Sequence, residues 1–171
     1  MKINVIIPAA GLATRLRPLS NNQSKAMVRV NGKPCIDFIL EKITEEAEIV
    51  EVVIVDGEFN DIREYTKRRW NRVNITFAKQ EQLKGPRDAI QIGAMLIKDT
   101  SIPTVVWLGD AIILEDGLPF GTDFLLTKEV SDHHNWCMWN VMTNTFHDKP
   151  TETCPNSVAL VGLYSFSDTV A

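Results

Sequence analysis

Lys2-Ile3-Asn4-Val5-Ile6-Ile7-Pro8-Ala9-Ala10-Gly11-Leu12-Ala13-Thr14-Arg15 opens the chain as an apolar run that breaks into a loop of small residues. Ile3, Val5, Ile6 and Ile7 crowd a short stretch without strict alternation, which predicts a strand over 2–9 buried on both faces. A strand of that kind sits in a parallel sheet covered by helices. The loop leaving it then lies at the carboxyl edge of the sheet, where open α/β sheets bind ligands.

Outward from that stretch, strands and helices take turns. Over 36–47 the apolar positions Ile36, Ile39, Leu40, Ile43 and Ala47 fall at helical spacing, with Asp37, Glu41, Glu45 and Glu46 off the stripe. Residues 49–55 form a second apolar strand closed by Asp56-Gly57. A charged helix over 61–72 and a strand over 73–78 follow. A helix over 88–97 has Ile90, Ala94 and Ile97 on one face, and a strand over 104–108 is stopped by Gly109-Asp110. Beyond Gly121 the pattern changes: 123–130, 135–142 and 157–166 read as strands with no long helix between them. The expected fold class is therefore α/β: a Rossmann-like, mostly parallel sheet with helices on both faces, and mixed or antiparallel strands added in the C-terminal part.

The 171 residues fit a single domain, with 44% apolar content and a formal net charge of -4. That composition excludes a disordered chain and leaves no basic excess for a bulk nucleic-acid binder. No apolar run approaches the ~20 residues of a membrane span. The N-terminal stretch is too short for a signal-peptide core. Cys35, Cys137 and Cys154 show no CxxC spacing, so neither a disulfide framework nor a zinc knuckle is indicated, and a cytoplasmic setting is the expectation. His133-His134 reads as a solvated loop. Trp70, Trp107 and Trp139 read as packing residues.

The loop after the first strand carries the chemistry. Ala10, Gly11, Leu12, Ala13 and Thr14 are small or flexible enough to bring backbone N–H groups close to phosphate oxygens, and Arg15 and Lys25 add fixed positive charge. No G-K-[ST] closes the loop and no GxGxxG is present, which sets aside the Walker and dinucleotide motifs. The segments Gly11 to Leu19, Ser24-Lys25 and Gly32-Lys33-Pro34 resemble the signature of the sugar-1-phosphate nucleotidylyltransferases. These include glucose-1-phosphate thymidylyl- and uridylyltransferases. Ala13 replaces a usual Gly, Ser20 a Thr, and Ser24 a Pro. Gln80 with Gly85 resembles the family's base-reading segment, with Pro86 and Arg87 departing from it. Leu108-Gly109-Asp110 resembles its metal-holding L-G-D. Asp148-Lys149-Pro150 resembles its E-K-P element, and Val161-Gly162-Leu163-Tyr164 its sugar-pocket strand.

The resemblance implies a Mg²⁺-dependent transfer in which a sugar-1-phosphate attacks the α-phosphorus of an NTP, UTP or dTTP, and pyrophosphate leaves. It assigns catalytic roles to Arg15, Lys25 and Asp110, with Asp110 also holding the metal. It assigns nucleotide binding to Ala10, Gly11, Leu12, Ala13, Thr14, Gln80 and Gly85. Sugar-phosphate binding falls to Asp148, Lys149 and Gly162. Residues 1–120 would bind nucleotide, and 121–171 would begin a sugar-binding part that is expected to be incomplete, since the second metal-binding Asp of the family has no counterpart here. Neither nucleic acid nor membrane is expected as a partner, and a homo-oligomer is left open. Two alternatives stand beside this: a phosphocholine cytidylyltransferase-like enzyme with Trp136 or Trp139 holding the choline, and a non-catalytic regulatory domain of the same fold.

Overall fold

The computed structural model describes residues 1–168; residues 169–171, which the sequence reading includes in the sugar-binding part, lie outside the described residues. The chain runs β1 (Lys2–Pro8), β2 (Arg29–Val30), β3 (Lys33–Pro34), α1 (Cys35–Glu46), β4 (Glu48–Asp56), α2 (Asp61–Arg69), β5 (Ile75–Lys79), α3 (Pro86–Ala94) and β6 (Thr104–Trp107). It continues through β7 (Phe124–Lys128), β8 (Cys137–Asn140), β9 (Thr145–Asp148) and β10 (Ser157–Phe166). An eight-stranded sheet is ordered β5-β4-β1-β6-β10-β8-β9, with β7 also paired to β10. The pairs β5–β4, β4–β1 and β1–β6 are parallel; β10 runs antiparallel to β6, β7 and β8. The expected mostly parallel α/β sheet with antiparallel additions is what forms.

β1 lies inside because its side chains from Ile3 to Ile7 are apolar except Asn4, whose Nδ2 donates to Asp99 O at 2.8 Å. Ile3, Val5 and Ile7 join Val52, Ile54, Ile36, Ile39, Leu40 and Ile43 in one apolar cluster, while Ile6 packs with Val53, Val55, Ala89 and Val106 on the other face. Trp107 is fully buried, and its indole N–H donates to Ala111 O at 2.7 Å, so this large ring enters the core without an orphaned donor.

The helices differ from expectation in instructive ways. Asp37, off the apolar stripe of α1, is only 4% exposed because two ring donors reach it: Tyr65 Oη at 2.5 Å and Trp70 Nε1 at 2.7 Å. The carboxylate thus ties α1 to α2 and to the turn after it. α3 starts at Pro86, in the first-turn position where a missing N–H costs nothing, and stops at Ala94, before the predicted end. Its buried residues are Ala89 and Gly93 rather than Ile90 and Ala94. Small residues let the helix lie close on β1 and β4, and this packing overrides the apolar periodicity. β9 was not predicted. It is exposed along its whole length, so it lacks the alternation that marks a half-buried strand.

Candidate functional site

The carboxyl ends of β1, β4 and β6 are locked in step. Ala9 N donates to Val55 O at 2.7 Å and Gly109 N to Pro8 O at 3.0 Å, which sets the loops at 9–17, 57–60 and 109–111 side by side. Gly57 is required for this closeness, because a Cβ there would stand 2.7 Å from Ala10 O. Behind it, Asp56 is nearly fully buried and held by both Nε and Nη2 of Arg63, the latter at 2.7 Å, so the β4 end is fixed by a two-pronged ion pair.

Against that edge the first loop presents backbone. Among the described residues, the N–H groups of Ala10, Gly11, Leu12 and Ala13 have no hydrogen-bond acceptor. Successive free N–H groups in a loop form a concavity suited to an anion. Ala13 holds φ 49°, the left-handed conformation a Gly adopts at no cost, and its carbonyl accepts from Ser20 Oγ at 2.8 Å. Ser20 is thereby used to shape the loop.

Lys25 and Asp110 come together at this loop as an ion pair between Nζ and Oδ2, each about one-third exposed at 38% and 34%. Ser24 and Asp61 help set Lys25: Ser24 N donates to Asp61 Oδ2 at 2.9 Å. Arg15 lies in a single turn of 3-10 helix, Thr14–Leu16, and its Nη1 donates to Asn135 Oδ1 at 3.3 Å. The pair also touches α1. Burial pushes the Cys35 thiol up, and the Asp110 charge adds to that while Lys25 opposes it.

Of the later strands, β10 closes on the end of β6. Gly162, at φ 90°, lets β10 approach the end of β6: its carbonyl accepts from Leu108 N at 2.8 Å, and a Cβ there would meet Leu108 at 3.0 Å. Two residues on, burial pushes the Tyr164 phenol up to about 12, with Cys137 and Asp110 adding to the effect. Burial thus keeps the phenol neutral at ordinary pH, and the ring packs against the cluster of Ile6, Val53 and Val106. Tyr164 belongs to the Val161–Tyr164 stretch that resembles a sugar-pocket strand, where only Gly162 is assigned to the sugar phosphate. Cys137 faces Asp148 in the β8–β9 register. Lys149 N donates to Trp136 O at 2.9 Å, one residue after Asn135, which holds Arg15. The side chains of Asp148 and Lys149 are exposed and have no hydrogen-bond or ion-pair partner among the described residues. Gln80 and Gly85 stand at the far side, after β5. The His133-His134 pair is no free loop: it starts a 3-10 turn, with Cys154 N donating to His133 Nδ1 at 2.9 Å and His134 Nδ1 lying 2.7 Å from Pro150 O. Two surface cavities of about 440 and 430 Å³ lie elsewhere, one beside Lys42 and Asp116 and one beside His133 and Cys154.

For a metal, the donor set is short. Among the described residues no group of three or more His, Cys, Asp or Glu side chains gathers. Asp110 is a single carboxylate, about one-third exposed, next to the loop of free N–H groups. That fits Mg²⁺, which takes one or two carboxylates and completes its shell with water and substrate phosphates.

The sequence profile of the nucleotidyl transferases matches residues 4–134. The chain belongs to the nucleotidyl transferase family. It is 27% identical to UTP–glucose-1-phosphate uridylyltransferase 2 of Staphylococcus saprophyticus over 93% of this chain and 69% of that protein. It is 40% identical to a choline-phosphate cytidylyltransferase of Streptococcus pneumoniae over a shorter match, 44% of this chain and 32% of that one. A solved UDP-glucose pyrophosphorylase complexed with UDP-glucose shares the fold with TM-score 0.78 at 22% identity, covering 96% of this chain and 76% of that chain. Among the described residues no helix is long and apolar enough to cross a membrane.

Proposed function

We propose that this nucleotidyl transferase joins a sugar-1-phosphate to UTP or dTTP and releases pyrophosphate, with Mg²⁺ as cofactor. The observation that carries the reading is the row of free N–H groups at Ala10 to Ala13 beside the Lys25–Asp110 pair. Successive free N–H donors with a cation and a carboxylate beside them suit a polyphosphate. Residues 1–120 form the nucleotide part and 121–171 contribute acceptor contacts.

In this reading the base lies at Gln80 and Gly85, and the phosphates cross the strand ends from β5 past β1 toward β6. The Gly11 loop and Arg15 take the β- and γ-phosphates and stabilise the charge that builds on departing pyrophosphate. Lys25 releases Asp110 and neutralises the α-phosphate. Asp110 would hold Mg²⁺, which supplies charge neutralisation across the reacting phosphates. Lys149 pairs with the phosphate of the acceptor, Asp148 accepts hydrogen bonds from its hydroxyls, and Gly162 keeps β10 close enough to line the same space. The acceptor phosphate is ionised at neutral pH, so no general base is needed; positioning and charge carry the reaction.

The partial similarity to a choline-phosphate cytidylyltransferase supports a second reading, in which CTP and phosphocholine are the substrates. The indoles give it little: Trp136 Nε1 donates to Asp132 at 3.2 Å, and Trp139 stacks on Phe146. A pyrophosphate-release screen of the four common NTPs against several sugar-1-phosphates and phosphocholine, with Mg²⁺, separates the two. Turnover with a sugar-1-phosphate is expected. Turnover with CTP and phosphocholine alone replaces the reading, and no turnover with any pair sinks both.

A further inference from the structure

Gln80 follows β5 directly and is 5% exposed, so its amide cannot satisfy itself freely with water. Both of its N–H bonds are spent inside the protein. Nε2 donates to the Gly85 carbonyl at 3.1 Å and to Asp88 Oδ2 at 2.7 Å. A carbonyl and a carboxylate are acceptors only, so these two partners dictate which way the amide points. Turning it over would set Oε1 against both of them and lose two hydrogen bonds in a site with little water to replace them. Oε1 is left with no protein partner among the described residues, and it is not one of the enclosed orphan atoms. Gln80 therefore keeps a single free acceptor, Oε1.

We infer that Asp88 is a positioning residue that sets base choice: by fixing the Gln80 amide it makes the site take a pyrimidine with an N–H donor on its ring edge. Uracil and thymine offer that donor at N3. Cytosine offers an acceptor lone pair at the same atom, which would face Oε1 with like partial charge and leave both groups unpaired. The inference rests on the reading of Gln80 and Gly85 as the base site. It goes beyond it by naming the residue that decides between uracil or thymine and cytosine. Asp88 acts through Gln80, from the first turn of α3.

Asp88→Asn is the informative change, because an Asn can either accept from or donate to the Gln80 amide while keeping size and shape. Calorimetric titration of the whole chain with UTP and with CTP, each with Mg²⁺, gives the two dissociation constants without requiring turnover. UTP is expected to bind ~10²-fold more tightly than CTP, the scale of a polar site facing a mismatched edge. Asp88→Asn is expected to cut that ratio by at least ~10-fold, mainly by improving CTP. Gln80→Leu removes the reader and should bring the two nucleotides close to parity, which keeps the test alive if Asp88→Asn does not fold. Equal affinities in the native protein, tighter binding of CTP, or a ratio untouched by Asp88→Asn overturns the role of Asp88 while leaving nucleotide binding intact. Failure to bind either nucleotide overturns the functional reading as well.

Discussion

Among the described residues Arg15 has one hydrogen-bond partner, the side-chain oxygen of Asn135 at 3.3 Å, in a long and exposed bond. A guanidinium so weakly held is free to leave for a phosphate, which offers charge-assisted and bidentate bonds in exchange for a neutral one. Arg15→Ala therefore has little to destabilise in the fold, and its cost falls on the reaction. Turnover of the preferred NTP and sugar-1-phosphate should drop ~10²-fold or more, the scale of losing one contact to developing charge. The thermal midpoint should stay within a degree or two of the native value. Steady-state kinetics and a melting curve on the same preparation check both halves; unchanged turnover removes Arg15 from the mechanism. Arg15 was readable in the sequence because a charge beside a Gly-rich turn carries local information. Asn135 was not, since it gains its place only when the 3-10 turn before β8 comes back to the loop. Asp88 was hidden for the same reason: alone it is a first-turn carboxylate of a helix, and its meaning comes from the Gln80 amide across the turn.

At the scale of elements, the segment after β6 depends on α1. Glu46, in the last turn of α1, accepts from Gly117 N at 3.2 Å and from Leu118 N at 2.8 Å, and Lys42 bridges Glu46 at 2.8 Å and Asp116. Burial alone would push the Glu46 carboxyl up. The Lys42 ammonium and the N–H groups of Leu118 and Gly117 outweigh it and hold the group below the usual carboxylate range. A carboxyl whose pKa is lowered by folding adds stability above its unfolded value of about 4.3, and loses it as the pH falls through the folded value. Glu46→Gln should lower the thermal midpoint by a few degrees at pH 7, and the gap to the native protein should close as the pH drops below about 4. Melting curves across that range test it; a gap that persists in acid would assign the loss to shape alone. Apart from the two-residue strands β2 and β3, the strand and helix order up to β6 was legible because uniformly apolar strands and a clean stripe on α1 repeat at different periods. The β8–β9 hairpin was half legible. Its first strand was expected over 135–142, but Thr145–Asp148 is exposed on both faces and carries no period to read.

The molecule as a whole places its two sets of candidate residues on different kinds of backbone. Ala10, Lys25, Asp110 and Gln80 stand at the ends of β1, β6 and β5 or in the loop that follows β1, supported by a core of fully buried Ile, Val and Trp. Asp148 and Lys149 sit at the end of β9, at the margin of the sheet, with φ 46° at Lys149 and one backbone bond to Trp136. On the proposed reading the nucleotide residues are fixed by the core, while the acceptor residues are held at the margin by one backbone bond. Acceptor-side substitutions should then act selectively. Asp148→Ala should raise KM for the sugar-1-phosphate roughly tenfold or more, the scale of a lost hydrogen bond to a charged group, with KM for the NTP nearly unchanged. Lys149→Ala should lower kcat as well, because the attacking phosphate loses its orientation as well as its counter-charge. Both constants for both substrates, measured on each variant, decide the matter. An Asp148→Ala protein with unaltered sugar-phosphate kinetics, or one that uses phosphocholine better than any sugar-1-phosphate, would move the acceptor site off the hairpin and return Trp136 and Trp139 to consideration.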